Sequence, residues 1–150
     1  PRQVTAHIAK AREKLLTRQT AAILVIEDEA ITAIDLAEIV HRSGQALLGV
    51  AATRAEALRL AQKQRPDLIL ADVRLARGES GVTTAQEIAG TGVLPVIYIT
   101  GHATSLLQQQ VKPRFVIAKP FHPEIVEDTI TEALGGWMPP PTAVANMRSL

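Results

Sequence analysis

Residues 24–30 have the sequence LVIEDEA, in which three apolar side chains run directly into Glu27, Asp28 and Glu29. Adjacent carboxylates repel one another, and removing them from water is costly. One explanation is a solvated turn that leads into a helix, since acidic residues are favoured near a helix N-terminus. The other explanation is a site for a divalent cation. The rest of the sequence has to distinguish these two possibilities.

The composition indicates one folded domain and excludes several classes of function. Of the 150 residues, 47% are hydrophobic and only 3% aromatic, so the core must be largely aliphatic. A net charge of +1 gives no general attraction to nucleic acid or acidic lipid. Without cysteine, disulfides and thiolate zinc sites are impossible. Because no apolar run reaches the roughly 18 residues of a membrane helix and no signal peptide is recognisable, we expect a cytoplasmic protein without membrane contacts.

The two ends of the chain differ from its middle. Residues 1–20 contain five basic residues and one acidic residue, with apolar residues at helical spacing. This pattern predicts a basic N-terminal helix, which is either a linker from a missing domain or a solvated tail. Since the chain begins at Pro1 without Met, a fragment or a processed product is expected. Residues 137–150 contain three consecutive prolines and are interpreted as a loosely held tail. The compact domain is predicted to span residues 21–136.

Between the ends, short apolar segments alternate with segments of helical periodicity. The predicted strands are residues 21–26, 46–51, 67–72, 93–100 and 114–119, and the predicted helices are residues 30–44, 53–64, 82–90, 103–110 and 123–136. The strands are nearly continuous apolar runs, which is typical of a parallel sheet covered by helices on both faces. The predicted fold class is therefore α/β, with a doubly wound, five-stranded parallel sheet. Such sheets place their sites at the carboxyl ends of the strands.

Polar side chains follow four of the five predicted strands at that edge. The first strand runs into residues 27–29, the third ends in Asp72, the fourth in Thr100 and the fifth in Lys119. Each of these residues has an ordinary structural explanation when taken alone, but their joint placement at one edge is much less expected by chance. Carboxylates, a hydroxyl and an ammonium group should therefore lie close together.

This set of groups suits phosphoryl transfer to a carboxylate. Mg²⁺ prefers carboxylate oxygens and retains several waters, so Asp28 and Asp72 are candidate ligands, with Glu27 holding a coordinated water. Asp72 is also the candidate nucleophile, which would form an acyl phosphate. Phosphoryl transfer requires mainly positioning and charge neutralisation. Lys119 would neutralise the phosphoryl oxygens and Thr100 would donate a hydrogen bond to one of them.

The motifs ED at 27–28, DVRL at 72–75, TG at 100–101 and KPF at 119–121 together resemble the receiver domain of two-component response regulators. The resemblance covers about residues 22–135 and implies the flavodoxin-like (βα)5 receiver fold. It implies that Asp72 accepts phosphate from a histidine kinase or a histidine phosphotransfer protein. It also implies that the main-chain carbonyl of Arg74 joins the acidic residues around Mg²⁺, and that the Lys119–Pro120 bond is cis, as is possible before proline.

The loop after Asp72 indicates which subgroup of receivers the chain resembles. Common receivers have a Met-Pro step there and a glycine eight residues further on, whereas this chain lacks that proline and has Gly81 nine residues on. With IEDE, LADVRLA, VIYIT and FVIAKPF, this longer loop resembles the C-terminal receiver of PhyR-type regulators, phosphorylation-dependent anti-anti-sigma factors of the general stress response. The resemblance implies a sigma-like domain or an anti-sigma factor as the output partner. Residues 1–20 are too short to be that domain.

One position departs from the receiver pattern. Receivers usually carry Tyr or Phe three residues before the lysine, and this chain has Val116 there, next to Phe115. Because successive strand residues point to opposite faces, we expect Phe115 to be a core residue rather than a replacement switch. Tyr98 is likewise interpreted as sheet packing.

Two other functions remain open from the sequence. A haloacid-dehalogenase-like phosphatase also uses a carboxylate nucleophile, Mg²⁺, a hydroxyl and a lysine, but it requires Asp-x-Asp after its first strand, where this chain has Glu27-Asp28-Glu29. A receiver that has lost phosphorylation and serves only as a docking module is the other alternative, which the missing aromatic at Val116 supports.

Overall fold

The fold is an alternating α/β sandwich, obtained as a computed structural model that describes residues 20–109 and 111–138. The elements are, in chain order, β1 (Ala22–Ile26), α1 (Ala30–Arg42), β2 (Ala46–Ala51), α2 (Arg54–Lys63), β3 (Leu68–Ala71), a 3₁₀ turn (Ala76–Gly78), α3 (Gly81–Ala89), β4 (Val96–Thr100), α4 (Ala103–Gln108), β5 (Phe115–Ala118) and α5 (Pro123–Ala133). The predicted N-terminal helix and nearly all of the predicted proline-rich tail lie outside the described residues.

The five strands form one parallel sheet in the order β2-β1-β3-β4-β5. The chain therefore starts in the second strand of the sheet, moves outward to β2, and then crosses back over β1 to add β3, β4 and β5. This reversal confirms the doubly wound prediction, and it places the carboxyl ends of β1 and β3 side by side.

Alternating strand residues divide the core between the two faces of the sheet. Ile23 and Val25 pack with α1 and α5 on one face, whereas Leu24 and Ile26 pack with α2, α3 and α4 on the other. All four of these β1 side chains are fully buried. The continuous apolar runs thus arise because both faces of the central strands need apolar side chains.

Local sequence signals explain where several helices begin and end. The Thr53 hydroxyl caps α2 by accepting a hydrogen bond from the Glu56 N–H at 3.2 Å, and the Glu56 carboxylate accepts one from the Ala52 N–H at 2.8 Å. After α1, Gly44 takes a φ of +80°, a conformation that other residues rarely adopt. Pro123 occupies the first turn of α5, where its missing N–H costs nothing.

The predicted element boundaries need small corrections. The fourth strand was predicted to start at Val93, but β4 starts at Val96, since Pro95 has no N–H and joins the sheet only through its carbonyl, which accepts from the Ile69 N–H at 3.1 Å. The segment between the third predicted strand and the third predicted helix contains a short 3₁₀ turn, and α3 starts at Gly81, one residue before the predicted start at residue 82. The predicted last two helices extend past the observed ends, Gln108 and Ala133.

Candidate functional site: an acidic cleft around one lysine

Backbone hydrogen bonds hold the two central carboxylates at the same level of the sheet. The N–H of Asp72 donates to the carbonyl of Ile26 at 2.9 Å, and the N–H of Glu27 donates to the carbonyl of Ala51 at 2.9 Å. Glu27 therefore extends β1 by one residue beside β2, while Asp72 extends β3 beside β1. The side chains of Glu27 and Asp72 consequently lie next to each other at the edge predicted from the sequence.

The ammonium group of Lys119 lies at the centre of this edge. Its Nζ is 3.0 Å from Oε2 of Glu27, 3.0 Å from Oδ2 of Asp72 and 3.3 Å from Oε1 of Glu29. An ammonium group has three N–H donors, so each carboxylate can accept one of them. The N–H of Lys119 also donates to the Thr100 carbonyl at 3.0 Å, which fixes the end of β5 against β4. One lysine thereby joins the ends of β1, β3 and β5.

The cluster is largely shielded from water except at Glu29. The side chain of Glu27 is completely buried and those of Asp72 and Lys119 are 8% and 17% exposed, whereas the side chain of Glu29 is 65% exposed. Glu29 thus lies at the mouth of the site. Its backbone N–H donates to Oε1 of Glu27 at 3.0 Å, so the turn after β1 also helps to satisfy the buried carboxylate.

Burial and ion pairing shift the pKa values of Glu27 and Lys119 in opposite directions. Burial raises the pKa of Glu27 above its ordinary value, and the hydrogen bonds from the Glu29 N–H and from Lys119 only partly offset this effect. For Lys119, burial alone would lower the pKa, but the hydrogen bonds to Glu27 and Asp72 outweigh it, so the pKa is raised. Lys119 therefore carries its positive charge throughout the physiological range.

Thr100 lies where the sequence predicts it, at the end of β4. Its side chain is buried, and its Oγ1 accepts a hydrogen bond from the N–H of His102 at 2.8 Å. A hydroxyl that accepts one hydrogen bond still has its own hydrogen to donate. The Lys119–Pro120 peptide bond beside it is cis, as expected from the family resemblance.

The loop after Asp72 is held close to the Asp72 backbone by a glycine. A Cβ placed on Gly81 would overlap the carbonyl oxygen of Asp72, so the start of α3 can approach this close only without a side chain. The N–H of Gly81 donates to the carbonyl of Val73 at 2.9 Å, and Arg74 pairs with Ser80 across the loop. The Arg74 N–H also points towards Oδ1 of Asp72, at 3.5 Å.

These elements enclose a cleft of about 220 Å³. Its walls come from the segments that follow β1, β3, β4 and β5, and the lining residues are Asp28, Glu29, Asp72, Arg74, Leu75, Ala76, Gly101, His102 and Lys119. Within the described residues, the carboxylate oxygens that lie within 4.8 Å of one another belong to Glu27, Glu29 and Asp72. Glu29 belongs to the acidic run that follows the first predicted strand but not to the predicted ligand set, whereas the predicted ligand Asp28 lines the cleft outside this close group.

The structure also shows where Val116, at the position that was expected to be aromatic, and its neighbour Phe115 lie. Phe115 is 7% exposed and packs in the core between the sheet, α1 and α5, as predicted. Val116 points to the other side of β5 and is 43% exposed. Tyr98 is buried on the face that carries α2, α3 and α4, which confirms its packing role. The position of the usual aromatic is thus an exposed valine.

Comparison with known proteins agrees with this fold. The family model described as the response regulator receiver domain matches residues 23–131, and the chain belongs to this family. The family match favours the receiver over the phosphatase alternative. In the described part of the chain, no helix is both long and apolar enough to cross a membrane.

The relatives also support the narrower resemblance to PhyR-type receivers. The chain is 40% identical over 129 residues to the phyllosphere-induced regulator PhyR of Methylorubrum extorquens, an alignment that covers 85% of this chain and 48% of the relative. The solution structure of the Erythrobacter litoralis PhyR receiver domain is 36% identical, with a TM-score of 0.74 over 81% of this chain and 95% of that one.

A third similar protein is known by its crystal structure as the anti-anti-sigma factor PhyR of Bartonella quintana. It is 31% identical, with a TM-score of 0.70 over 99% of this chain and 59% of the other. The chain spans about half the length of the curated relatives it matches. The chain therefore corresponds to only part of each of these longer proteins.

Proposed function

We propose that this chain is a phosphorylation-controlled receiver in which Asp72 accepts a phosphoryl group from a histidine kinase or a histidine phosphotransfer protein. The observation that carries the proposal is the position of Lys119, whose ammonium lies 3.0 Å from both Asp72 and the buried Glu27. A cation beside the nucleophile would stabilise the negative charge that develops on the phosphoryl oxygens during the transfer. The family match supports the same role for these residues.

In the proposed reaction, a carboxylate oxygen of Asp72 attacks the phosphorus of a phosphohistidine. The P–N bond breaks, the imidazole leaves, and an acyl phosphate forms on Asp72. Lys119 neutralises a phosphoryl oxygen, and the Thr100 hydroxyl donates its free hydrogen to another. Gly81 holds the Asp72 backbone and the loop in place during the transfer, because the two segments are in direct contact.

The residues present fit Mg²⁺, a cation that prefers carboxylate oxygens and keeps several of its waters. Asp28 and Asp72 would hold it, with the Arg74 carbonyl as a further ligand and Glu27 acting through a water. When bound, Mg²⁺ would supply positive charge for both the acidic cluster and the incoming phosphoryl group. Glu29, at the mouth of the same cluster, adds a fourth carboxylate that the sequence analysis did not include.

The output partner of the receiver is also part of the proposal, and it is inferred from the similarity to known relatives. Phosphorylation would favour one of two packings of the domain and so control a partner. The similarity to PhyR proteins suggests a sigma-like domain or an anti-sigma factor as that partner, in a cytoplasmic stress response without direct nucleic-acid binding. A signalling role of this kind requires no turnover of an external substrate.

Intact-mass measurement tests the proposal directly. The full chain is incubated with acetyl phosphate, with and without Mg²⁺, beside Asp72→Asn and the exposed control Asp128→Asn. We expect the mass of one phosphoryl group on the wild type and on Asp128→Asn, only with Mg²⁺, and none on Asp72→Asn. Phosphorylation that persists in Asp72→Asn would overturn the site assignment.

A second candidate, a docking module that works without phosphorylation, is favoured by the exposed Val116 at the usual aromatic position. Beryllofluoride with Mg²⁺, which mimics the acyl phosphate, distinguishes the two functions by NMR. A receiver should show shift changes that extend from the cleft to α4 and β5. A docking module should show no change beyond the cleft, or no binding at all.

A further inference from the structure

A groove of about 790 Å³ lies at the opposite end of the strands from Asp72. Its lining comes from the segments that lead into β3, β4 and β5, from Tyr98 on β4, and from the end of α5 with the residues after it: 65–67, 92–96, 98, 111–115, 133–134 and 136–138. Sites for small molecules have volumes of about 300–1,000 Å³, so the groove is large enough for one. We call it the amino-edge groove.

The lining of the amino-edge groove combines apolar and polar side chains. Leu94, Val96 and Val111 pack against the core on the face of the sheet that carries α2, α3 and α4. Phe115 is buried in the core of the opposite face. The core therefore fixes the apolar part of the lining in place. Fixed apolar walls with a few polar groups are typical of a site that holds and orients a small molecule.

Three cationic side chains line the groove, those of Arg65, Lys112 and Arg114. In the part of the chain that the structure describes, none of them belongs to an ion pair. The acidic lining residue, Asp67, is already bound, since its Oδ2 accepts a hydrogen bond from the Ala22 N–H at 2.8 Å. A concave surface with charges of one sign concentrates its electrostatic potential. The groove therefore attracts an anion.

The protein holds two of the three cations in place. The guanidinium carbon of Arg114 lies 5.1 Å from the centroid of the Phe115 ring, which is a cation–π contact. Nη2 of Arg65 donates to the Ala89 carbonyl at 3.5 Å, and a Cβ built on Gly92 would lie only 2.7 Å from this nitrogen. Gly92 thus leaves the space that the Arg65 side chain occupies. Because these side chains are already ordered, they lose less conformational entropy when they bind an anion.

Tyr98 carries a polar group that the fold itself does not use. The residue is only 4% exposed and lines the groove, and its hydroxyl forms no hydrogen bond within the described residues. A buried tyrosine hydroxyl usually has a hydrogen-bond partner, and leaving it without one is costly. Burial also raises the pKa of Tyr98, so the hydroxyl keeps its hydrogen and can donate it. An oxygen of a ligand in the groove would satisfy this donor.

We propose that the amino-edge groove binds a small molecule that joins one anionic group to an apolar body. The cationic side chains attract the anionic group, the apolar walls receive the body, and the Tyr98 hydroxyl donates to an oxygen of the ligand. Carboxylates, sulfonates and phosphate monoesters share this chemistry. The groove shares no lining residue with the cleft around Asp72, so this proposal is independent of the proposed phosphorylation.

Anilinonaphthalenesulfonate, an aromatic sulfonate whose fluorescence increases when it leaves water, is the first probe. Trp137 is the only tryptophan of the chain and lines the groove, so energy transfer from Trp137 to the dye reports binding there. We expect the full chain to bind the dye with a stoichiometry of one. N-phenyl-1-naphthylamine, the same molecule without the sulfonate, should bind about tenfold more weakly, because it lacks the charge that the groove attracts.

Variants connect the binding to the groove. Combining Arg65→Gln with Lys112→Gln should raise the Kd of the dye about tenfold, whereas Lys63→Gln, on α2 outside the groove, should leave it unchanged. Tyr98→Phe should raise the Kd about threefold but leave the midpoint of urea unfolding unchanged, because the hydroxyl has no partner to lose. A purely structural role of the Tyr98 hydroxyl would lower that midpoint instead and leave the Kd unchanged.

Competition experiments distinguish the possible anionic groups. Phenyl phosphate and benzoate should both displace the dye, and the one that acts at the lower concentration identifies the preferred group. Inorganic phosphate carries the charge without the apolar body, so it should need a concentration about tenfold higher than phenyl phosphate does.

Three results would overturn the proposal. In the first, the variant without Arg65 and Lys112 binds the dye as tightly as the wild type, so the dye binds elsewhere. In the second, the neutral dye binds as tightly as the sulfonate, so the groove has no preference for an anion. In the third, no soluble probe binds but the chain sediments with phosphatidylglycerol vesicles, so the cations face a membrane surface. Phosphorylation of Asp72 by acetyl phosphate is unaffected by each of these outcomes.

Discussion

Among the ion pairs of the described residues, the Arg54–Glu87 pair and the cluster around Lys119 differ in geometry and in burial. On the surface, the guanidinium of Arg54 forms a two-point pair with Glu87, at 2.7 and 3.0 Å, and joins α2 to α3. At the carboxyl edge of the sheet, Lys119 binds three carboxylates at 3.0 to 3.3 Å. The shorter and better-formed pair is the exposed one.

The ion-pair distances therefore do not show which cluster contributes more to the stability and to the proposed chemistry. Water and salt screen the exposed Arg54–Glu87 pair, so the free energy of unfolding depends little on it. Around Lys119 the charges are taken out of water, and losing one partner leaves the others buried and unpaired. The cluster that is less ideal in geometry is the one on which both the proposed chemistry and the stability depend. The following predictions test this contrast, starting with the largest expected effect.

Replacing the central cation should have the largest effect. In Lys119→Met, the neighbouring carboxylates Glu27 and Asp72 lose their shared partner, so the free energy of unfolding at pH 7 should fall by about 3 kcal/mol. Phosphorylation by acetyl phosphate should be lost as well. Urea unfolding and intact mass measure the two effects, with the exposed Lys63→Met as the control. Wild-type stability and phosphorylation in Lys119→Met would contradict the comparison.

The packing around the buried cluster should tolerate little change. In Gly81→Ala, the new Cβ meets the Asp72 carbonyl, and because a backbone atom cannot rotate away, we expect a loss of about 2 kcal/mol and slower phosphorylation. Gly101→Ala is the matched control for stability alone, since a Cβ there meets nothing within 4 Å but the residue lines the cleft. Equal stability of the two variants in urea would argue that the loop after Asp72 relaxes freely.

The buried carboxylate should give the protein a specific pH dependence. Because the pKa of Glu27 is raised in the folded state from its ordinary 4.5, ionisation costs more in the folded protein than in the unfolded chain. Glu27 therefore contributes to the free energy of unfolding when it is protonated in both states. This stabilising contribution is fully present below pH 4.5 and is lost as the pH rises through the pKa of Glu27 in the folded protein.

The free energy of unfolding of Glu27→Gln should consequently depend less steeply on pH in that window than that of the wild type. Urea unfolding between pH 4 and pH 8 measures the difference, and the exposed Glu38→Gln on α1 should follow the wild type. Parallel curves for wild type and Glu27→Gln would mean that the burial of this carboxylate has no energetic consequence.

The exposed pair should give the smallest effect. In Arg54→Gln the melting temperature should fall slightly at low ionic strength, and the difference should vanish near 1 M salt, where charges are screened within about 3 Å. Glu87→Gln should behave in the same way, because it removes the same pair. A large, salt-independent loss would show that the Arg54 side chain stabilises the protein through something other than its ion pair with Glu87, because the backbone hydrogen bond from the Arg54 N–H to Glu79 is retained in Arg54→Gln.

The sequence predicted the secondary structure well where one physical signal acts alone. The aliphatic runs of β1 and β2, the capping pair Thr53 and Glu56, and Pro123 at the start of α5 all define their elements locally. Prediction was less accurate at β4, where apolar residues 93–95 continue the strand pattern although Val93 is fully exposed and Pro95 has no N–H to donate. Hydrophobicity alone does not distinguish a strand residue from an exposed apolar residue next to the strand.

For the site, the sequence predicted that Glu27, Asp72, Thr100 and Lys119 come together, because parallel strands end at one edge. It could not predict that Glu29 also reaches Lys119, since side-chain direction after a strand depends on the turn that follows. The only signal was its place in the run of three carboxylates. The ligand roles of Asp28 and Arg74 remain predictions, and the Mg²⁺ dependence of phosphorylation tests them.

The sequence by itself determined the alternation of strands and helices, the parallel sheet and the chemical groups at its carboxyl edge, since each depends on periodicity or on position along a strand. Only the tertiary structure decided the strand order, the burial of Glu27, the three-way contact of Lys119 and the close approach of Gly81 to Asp72. The contacts of Lys119 with Glu27 and Asp72 join residues 92 and 47 positions apart that meet across the sheet. Gly81 reaches Asp72, nine residues before it, only through the course of the loop between them, and no local sequence pattern gives either kind of distance.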